Sequence, residues 1–167
     1  MSERDLLYRV RFDGVDQLSP QLKALQDRLR GSERQFRDLS KVRDQFAKFG
    51  KLRSQLGSTQ SELADLSRET RDLGRALAST DAPTKKMAAE FERARTRVVK
   101  LKAEQQKQIQ SLGRLGRSLT DAGYDLKDFR GEQRRVIDGT RKASREAANY
   151  RRELARVAGE LKQAGAA

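Results

Sequence analysis

The chain offers few residues that could perform catalysis or hold a metal ion. It contains neither cysteine nor histidine, so thiolate nucleophiles, disulfides, and the commonest general base and metal ligand are absent. Carboxylates occur in close pairs, such as Asp13/Asp16 and Glu90/Glu92, but arginine and lysine surround them. Interleaved charges of this kind are typical of a solvated helix surface with ion pairs. We therefore expect no catalytic, cofactor-binding or metal-binding site, and we expect that the protein is not an enzyme.

Two basic clusters are the remaining candidates for a chemical role. The formal net charge is +13, and such a chain favours an acidic partner: nucleic acid, a membrane surface or an acidic protein wall. Tyr150 is the one aromatic residue within the span of either cluster, and it belongs to the predicted seam. Because no aromatic side chain is thus left for base stacking, the preferred interpretation is a solvated face in an acidic surround. Phosphate contacts to nucleic acid remain the alternative. The clusters are Arg93, Arg95, Arg97, Lys100 and Lys102, and Arg141, Lys142, Arg145, Arg151, Arg152 and Arg156.

Long helices must position these side chains, because an apolar seam keeps one heptad register from Met87 to Leu161. Alternate steps of four and three residues give 22 positions, of which 18 are apolar in a chain that is 35% apolar overall. A 3.5-residue repeat stays on one helix face only when helices supercoil around partners. Four of the apolar positions are small, namely Ala94, Ala122, Ala143 and Ala147. The larger predicted seam residues are Met87, Phe91, Val98, Leu101, Leu112, Leu115, Leu119, Leu126, Phe129, Val136, Tyr150, Leu154, Val157 and Leu161.

Four seam positions are polar, namely Gln105, Gln108, Gln133 and Thr140. Buried polar residues in coiled coils can fix the register or the oligomer number. A long seam can also simply tolerate them, and the sequence leaves both explanations open.

The pattern predicts an all-α fold of long, extended helices that form a parallel coiled coil or a helical bundle. A short β-strand is expected over 6–12, where Tyr8, Val10 and Phe12 alternate with arginines. Ser19 and Pro20 then resemble a helix start, with a hydroxyl cap followed by proline. The predicted segments are a strand-like 1–17, a first coiled-coil helix over 18–81, a second over 82–122, and a third over 123–167 with a frayed end.

Three interruptions divide the predicted helices. A separate seam in the first predicted helix runs from Leu18 to Leu77. It slips between Phe46 and Leu52, where the spacing is that of a stammer. Pro83 ends a helix, because proline breaks the hydrogen-bond ladder, and either a kink or a hairpin would fit; Asp81 is the expected cap of the next helix. Gly123 resembles a helix end, but the heptad phase passes through it unbroken. The preserved phase favours a continuous or gently kinked rod over a hairpin there.

Several landmarks together resemble the N-terminal region of bacteriophage tail tape measure proteins, particularly those of contractile tails. The order is a short strand, a long coiled coil rich in arginine, leucine and glutamine, and two interruptions. The most specific elements are Ala82-Pro83-Thr84 followed by Glu90-Phe91-Glu92-Arg93-Ala94-Arg95, and Leu119 with Ala122-Gly123-Tyr124-Asp125. The likeness covers nearly the whole chain. Family members are usually several times longer, so the sequence is expected to be an N-terminal portion or a ruler from a small-tailed particle.

The resemblance implies a structural role in the virion. A tape measure protein is made in the host cytoplasm, fills the lumen of the tail tube, sets tail length during assembly and leaves before DNA ejection. The implied partners are other copies of the chain, plausibly three, the tail tube protein and tail assembly chaperones, with DNA nearby and no membrane partner for this segment. The open alternative is a basic coiled-coil protein that binds nucleic acid or acts as an adaptor.

Overall fold

The computed structural model describes the backbone of residues 3–164 and the side chains of residues 20–160. It is 93% helical, with three α-helices and no strand in that part of the chain. These are α1 (Glu3–Ala78), α2 (Lys85–Asp121) and α3 (Phe129–Ala164), with a short 3-10 helix (Leu126–Asp128) before α3. The all-α prediction is therefore confirmed.

The predicted N-terminal strand is wrong, because α1 begins at Glu3 and runs through 6–12. A single strand would leave its backbone groups without partners, whereas a helix satisfies them within itself. The predicted helix start at Ser19 and Pro20 is also wrong, since Pro20 lies inside α1.

The connection between α1 and α2 is a short turn centred on Pro83. The Thr80 hydroxyl donates to the Ala76 carbonyl at 2.7 Å as α1 ends. Thr84, not the expected Asp81, caps α2: its backbone is extended and its hydroxyl accepts from the Met87 amide at 3.2 Å. Such a cap satisfies one of the amides that a helix start leaves unpaired.

The end of α2 is fixed by Gly123, which has a φ of 87°. The Gly123 amide donates to the Thr120 carbonyl at 2.9 Å, and the Tyr124 amide donates to the Leu119 carbonyl at 3.1 Å. These two bonds form a Schellman motif, which requires the left-handed conformation that glycine adopts without strain. Asp125 then accepts from the Lys127 amide at 2.8 Å at the start of the 3-10 helix. An unbroken helix across Gly123 is therefore not formed.

The chain divides into two compact units, 1–43 with 129–167, and 44–128. In the second unit, α2 pairs with the end of α1 in an antiparallel hairpin. The Gln45 amide donates to the Ser118 hydroxyl, and Glu62 lies 3.8 Å from Arg97. As residue numbers increase along α1, the residue numbers of their partners on α2 decrease. The turn at Pro83 is thus a hairpin and not a kink.

In the first unit, α3 pairs with the start of α1, also antiparallel. Glu33 accepts from Arg151 at 2.7 Å, and Leu39 lies against Gly139, where a Cβ would come within 3.1 Å of it. The pairing seen within each unit is therefore antiparallel, whereas a parallel coiled coil would require other copies of the chain.

The close contact at Gly139 leads to a stability prediction. We expect Gly139→Leu to lower the free energy of unfolding by about 1–3 kcal/mol, because the new side chain must displace Leu39. Thermal unfolding followed by circular dichroism at 222 nm measures this change. Gly31→Leu is the matched control in the same unit, since nothing lies within 4 Å of a Cβ there. It should stabilise α1 by up to ~1 kcal/mol through helix propensity; equal effects at both sites would contradict the packing of Leu39 on Gly139.

Candidate functional site: helix seams and basic faces

The predicted seam of α2 lies between the two helices of the second unit. Ala94 and Leu119 are buried, and Leu119 is completely inaccessible to solvent. The other predicted positions on this helix are half-buried, whereas most positions on its outer face are exposed. These half-buried positions are Met87, Phe91, Val98, Leu101, Leu112 and Leu115.

The predicted seam continues along α3 in the first unit. Val136, Ala143 and Ala147 are buried there. Phe129, Tyr150, Leu154 and Val157 are half-buried, as is Leu126 in the 3-10 helix of the second unit. Ala122 is exposed in the turn after α2, and the side chain of Leu161 lies outside the described residues.

The best-packed point of the second unit is an aromatic contact near the end of α2. Phe46 is completely buried, and the Tyr124 ring meets it edge to face, with centroids 5.3 Å apart and planes at 90°. Edge-to-face pairs of this kind add about 0.5–1.5 kcal/mol beyond burial itself. Phe46 lies at the start of the predicted register slip, and Tyr124 directly follows the Gly123 turn. The two irregular points of the seam thus supply its aromatic anchor.

Glycines let the helices approach beside this anchor. A Cβ at Gly116 would lie 3.4 Å from the Phe49 ring and 3.5 Å from Leu126, and one at Gly74 would lie 3.2 Å from the Phe91 ring. Gly113, three residues before Gly116, has nothing within 4 Å. Of the two glycines in that segment, Gly116 is therefore the one that serves close packing.

Small polar residues occupy part of the seam. Thr140 and Thr59 are buried, and the Thr140 hydroxyl donates to the Val136 carbonyl of its own helix at 2.7 Å. Ser32 is also buried, although it was not recognised from the sequence. It falls at the heptad position between Leu29 and Phe36, so the register itself could have identified it.

The glutamines of the seam do not bond across the helix pair. The Gln108 amide donates to Glu104 of the same helix at 3.1 Å, and its own carbonyl oxygen is buried without a hydrogen-bond partner. Gln105 and Gln133 are half-buried. A role of these residues in fixing register or oligomer number stays a prediction.

All residues of both basic clusters are exposed. In the first, Arg95 pairs with Glu92 at 3.7 Å and Arg97 with Glu62 at 3.8 Å. In the second, Arg151 reaches Glu33 across the helix pair at 2.7 Å. Exposed pairs of this kind contribute about 0–1 kcal/mol each, so the clusters are solvated surface features and do not stabilise the fold to any large extent.

The described residues contain no group of three or more acidic residues placed to hold a metal ion. The concave features are shallow grooves, such as the one lined by Lys48, Leu52, Arg114 and Leu115 in the second unit. Glu90 and Glu92 are exposed, and the side chains of Asp13 and Asp16 lie outside the described part. No helix in that part combines the length and the apolar character needed to cross a bilayer.

Comparisons with known proteins give no relative for this chain. No protein-family model matches the sequence, and neither a curated protein nor a solved structure is significantly similar to it.

The aromatic anchor leads to a second stability prediction. We expect Phe46→Ala to lower the free energy of unfolding by about 3–5 kcal/mol, because it leaves a cavity and removes the contact with Tyr124. Phe36→Ala, at a side chain that is 37% exposed, is the matched control and should cost about 1 kcal/mol or less. Urea unfolding followed by circular dichroism compares the two; similar losses would show that Phe46 is not the anchor of its unit.

Proposed function

We propose that the protein is a structural tape measure of a bacteriophage tail, which fills the tail tube lumen and sets tail length during assembly. One observation carries the proposal: nearly all of the described chain is helix, and a narrow apolar seam holds each pair of helices together. An α-helix rises 1.5 Å per residue whatever its surface composition. A chain of this kind converts residue number into length without any catalytic or ligand-binding site.

The landmarks of the resemblance also agree with the helix boundaries. Ala82-Pro83-Thr84 forms the turn between α1 and α2, and Thr84 is the cap of α2. Leu119 and Gly123 form the Schellman motif at the other end of that helix. Two of the three landmarks thus lie where α2 starts and stops, whereas the third, 90–95, lies inside α2.

A ruler inside a tube has to use the seam between copies of the chain. Within each unit the seam is buried by antiparallel pairing of the chain with itself, but most of its residues remain half-buried. The same residues would be buried at least as well in a parallel bundle, because the heptad register persists through α2 and α3. We therefore propose a homo-oligomer, plausibly a trimer, as the form that acts in the virion tail.

The oligomer is tested by mass. We expect light scattering after gel filtration to give about three times the chain mass of 19.0 kDa, because the seam joins copies. Leu112→Asp with Leu115→Asp should reduce this mass, since it places two carboxylates in the seam. Gln106→Asp with Gln110→Asp is the control, with the same charge change at exposed positions. A wild-type chain of monomeric mass would contradict the oligomer.

The ruler itself is tested by tail length in the parent particle. The test deletes three heptads from each helix of the hairpin, 52–72 in α1 and 92–112 in α2. Whole heptads keep the seam register, and equal deletions keep the remaining residues of the two helices opposite each other. If both helices are extended in the tail, electron microscopy should show tails shorter by about 63 Å. If the hairpin persists, the loss should be about half of that value.

Duplication of the same two blocks is the control, and it should lengthen the tail by the same amount that the deletion removes. Tails of unchanged length in both variants would dismiss the ruler function. The nucleic-acid-binding or adaptor interpretation would then replace it.

A further inference from the structure

The face of α3 that points away from its partner helix is unusually basic. Val136, Ala143 and Ala147 are buried, so the opposite side of this helix faces solvent. A row of six exposed cations runs along that side, one or two per turn. We call it the α3 ridge: Arg134, Arg141, Lys142, Arg145, Arg152 and Arg156.

Acidic side chains pair with only part of the α3 ridge. Asp138 lies 3.7 Å from Arg141, and Glu146 lines a shallow groove with Asp138, Arg141, Lys142 and Arg145. Arg156 lies 3.5 Å from Glu160. Arg152 donates to the neutral Asn149 at 2.7 Å.

The remaining ridge cations, Arg134, Lys142 and Arg145, make no ion pair with any described residue. With Arg152, four of the six cations therefore lack an acidic partner among the residues that the structure describes. Their charges add to a single positive field along one side of the helix.

The first basic cluster is arranged differently. Arg93 and Lys100 lie on one flank of α2, whereas Arg95 and Lys102 lie on the other, as the 100° step of a helix requires. Two of that cluster's arginines also pair with glutamates. The cations of the α3 ridge thus share one side of their helix, and those of the α2 cluster do not.

We propose that the α3 ridge binds the phosphate backbone of double-stranded nucleic acid without sequence specificity. Five of its six cations are arginines, whose planar guanidinium fork matches phosphate oxygens. The ridge is about 33 Å long at helical rise, close to the ~34–36 Å of one turn of B-form DNA. A straight row of this length can reach phosphates along one side of a duplex.

The composition of the ridge favours a duplex over other acidic partners. It carries no aromatic side chain, and single-strand binding relies on stacking of bases on aromatic rings. It carries no apolar side chain either, whereas protein interfaces are centred on buried apolar and aromatic anchors. The proposal concerns a binding activity of this face and does not depend on the ruler function.

Fluorescence anisotropy of a labelled duplex of arbitrary sequence tests the proposal with the full chain. Over a salt series, the logarithm of affinity should fall with the logarithm of salt concentration with a slope of about −4, if about four phosphates are neutralised. A variant with Arg134→Gln, Lys142→Gln, Arg145→Gln and Arg152→Gln should bind at least ~10-fold more weakly and with a much smaller slope.

The matched control removes the same charge elsewhere, with Lys51→Gln, Arg53→Gln, Lys85→Gln and Lys86→Gln at exposed positions of the second unit. It should lose less than ~3-fold, since non-ridge charges act only at a distance. Equal losses in both variants, or no binding by the wild type, would overturn the proposal. So would polyglutamate competing as well as the duplex at equal charge, because the ridge would then be an acidic-protein surface.

Circular dichroism shows whether the ridge variant keeps its helicity. If it does not, the pairs R134Q/R145Q and K142Q/R152Q replace it. Each pair should then weaken binding at least ~3-fold, and a pair without effect would again overturn the proposal.

Discussion

The structure depends on the small number of apolar side chains in the sequence. They suffice to form one narrow seam between each pair of helices, but they cannot form a thicker core. With 35% apolar residues and 37% charged residues, the chain cannot cover a thick core. Within each unit, a helix therefore buries one stripe against one neighbour, and the opposite side remains in water. Long helices, short turns and shallow grooves all follow, since an enclosed cavity needs walls from several layers of packed side chains.

Within that constraint, a few positions of the seam are completely buried. Phe46 and Leu119 are completely buried, and Tyr124 closes over Phe46 from the turn that Gly123 makes possible. The glycines at 116 and 139 let side chains of the partner helix approach the backbone. Elsewhere most seam leucines are half-buried. Each unit therefore has a few completely buried positions, and the rest of its seam remains partly exposed to solvent.

The solvent-exposed faces of the helices determine which partners the protein can bind. Most ion pairs of the described residues join positions three apart on one helix, so they neutralise charge locally and contribute little to the fold. Where acids are missing from a face, as on the α3 ridge, the positive charge is left for an external partner. Both proposed roles require a helix with a polar, basic exterior. A ruler needs this exterior in an acidic surround, and a phosphate-binding surface needs it for its ligand.

The sequence by itself determined which residues turn inward. Heptad spacing is a local property, and any helix places residues with that spacing on one face. The sequence also marked Pro83 and Gly123 as interruptions, since proline and a left-handed glycine act through their own backbone. At Gly123, however, the unbroken heptad phase favoured a continuous or gently kinked rod. The sequence misassigned 6–12, where alternation favoured a strand, because no local pattern says whether a strand will find a partner. Pairing direction was decided by the tertiary structure. It depends on which helix lies opposite, and that is fixed by contacts between residues far apart in the chain.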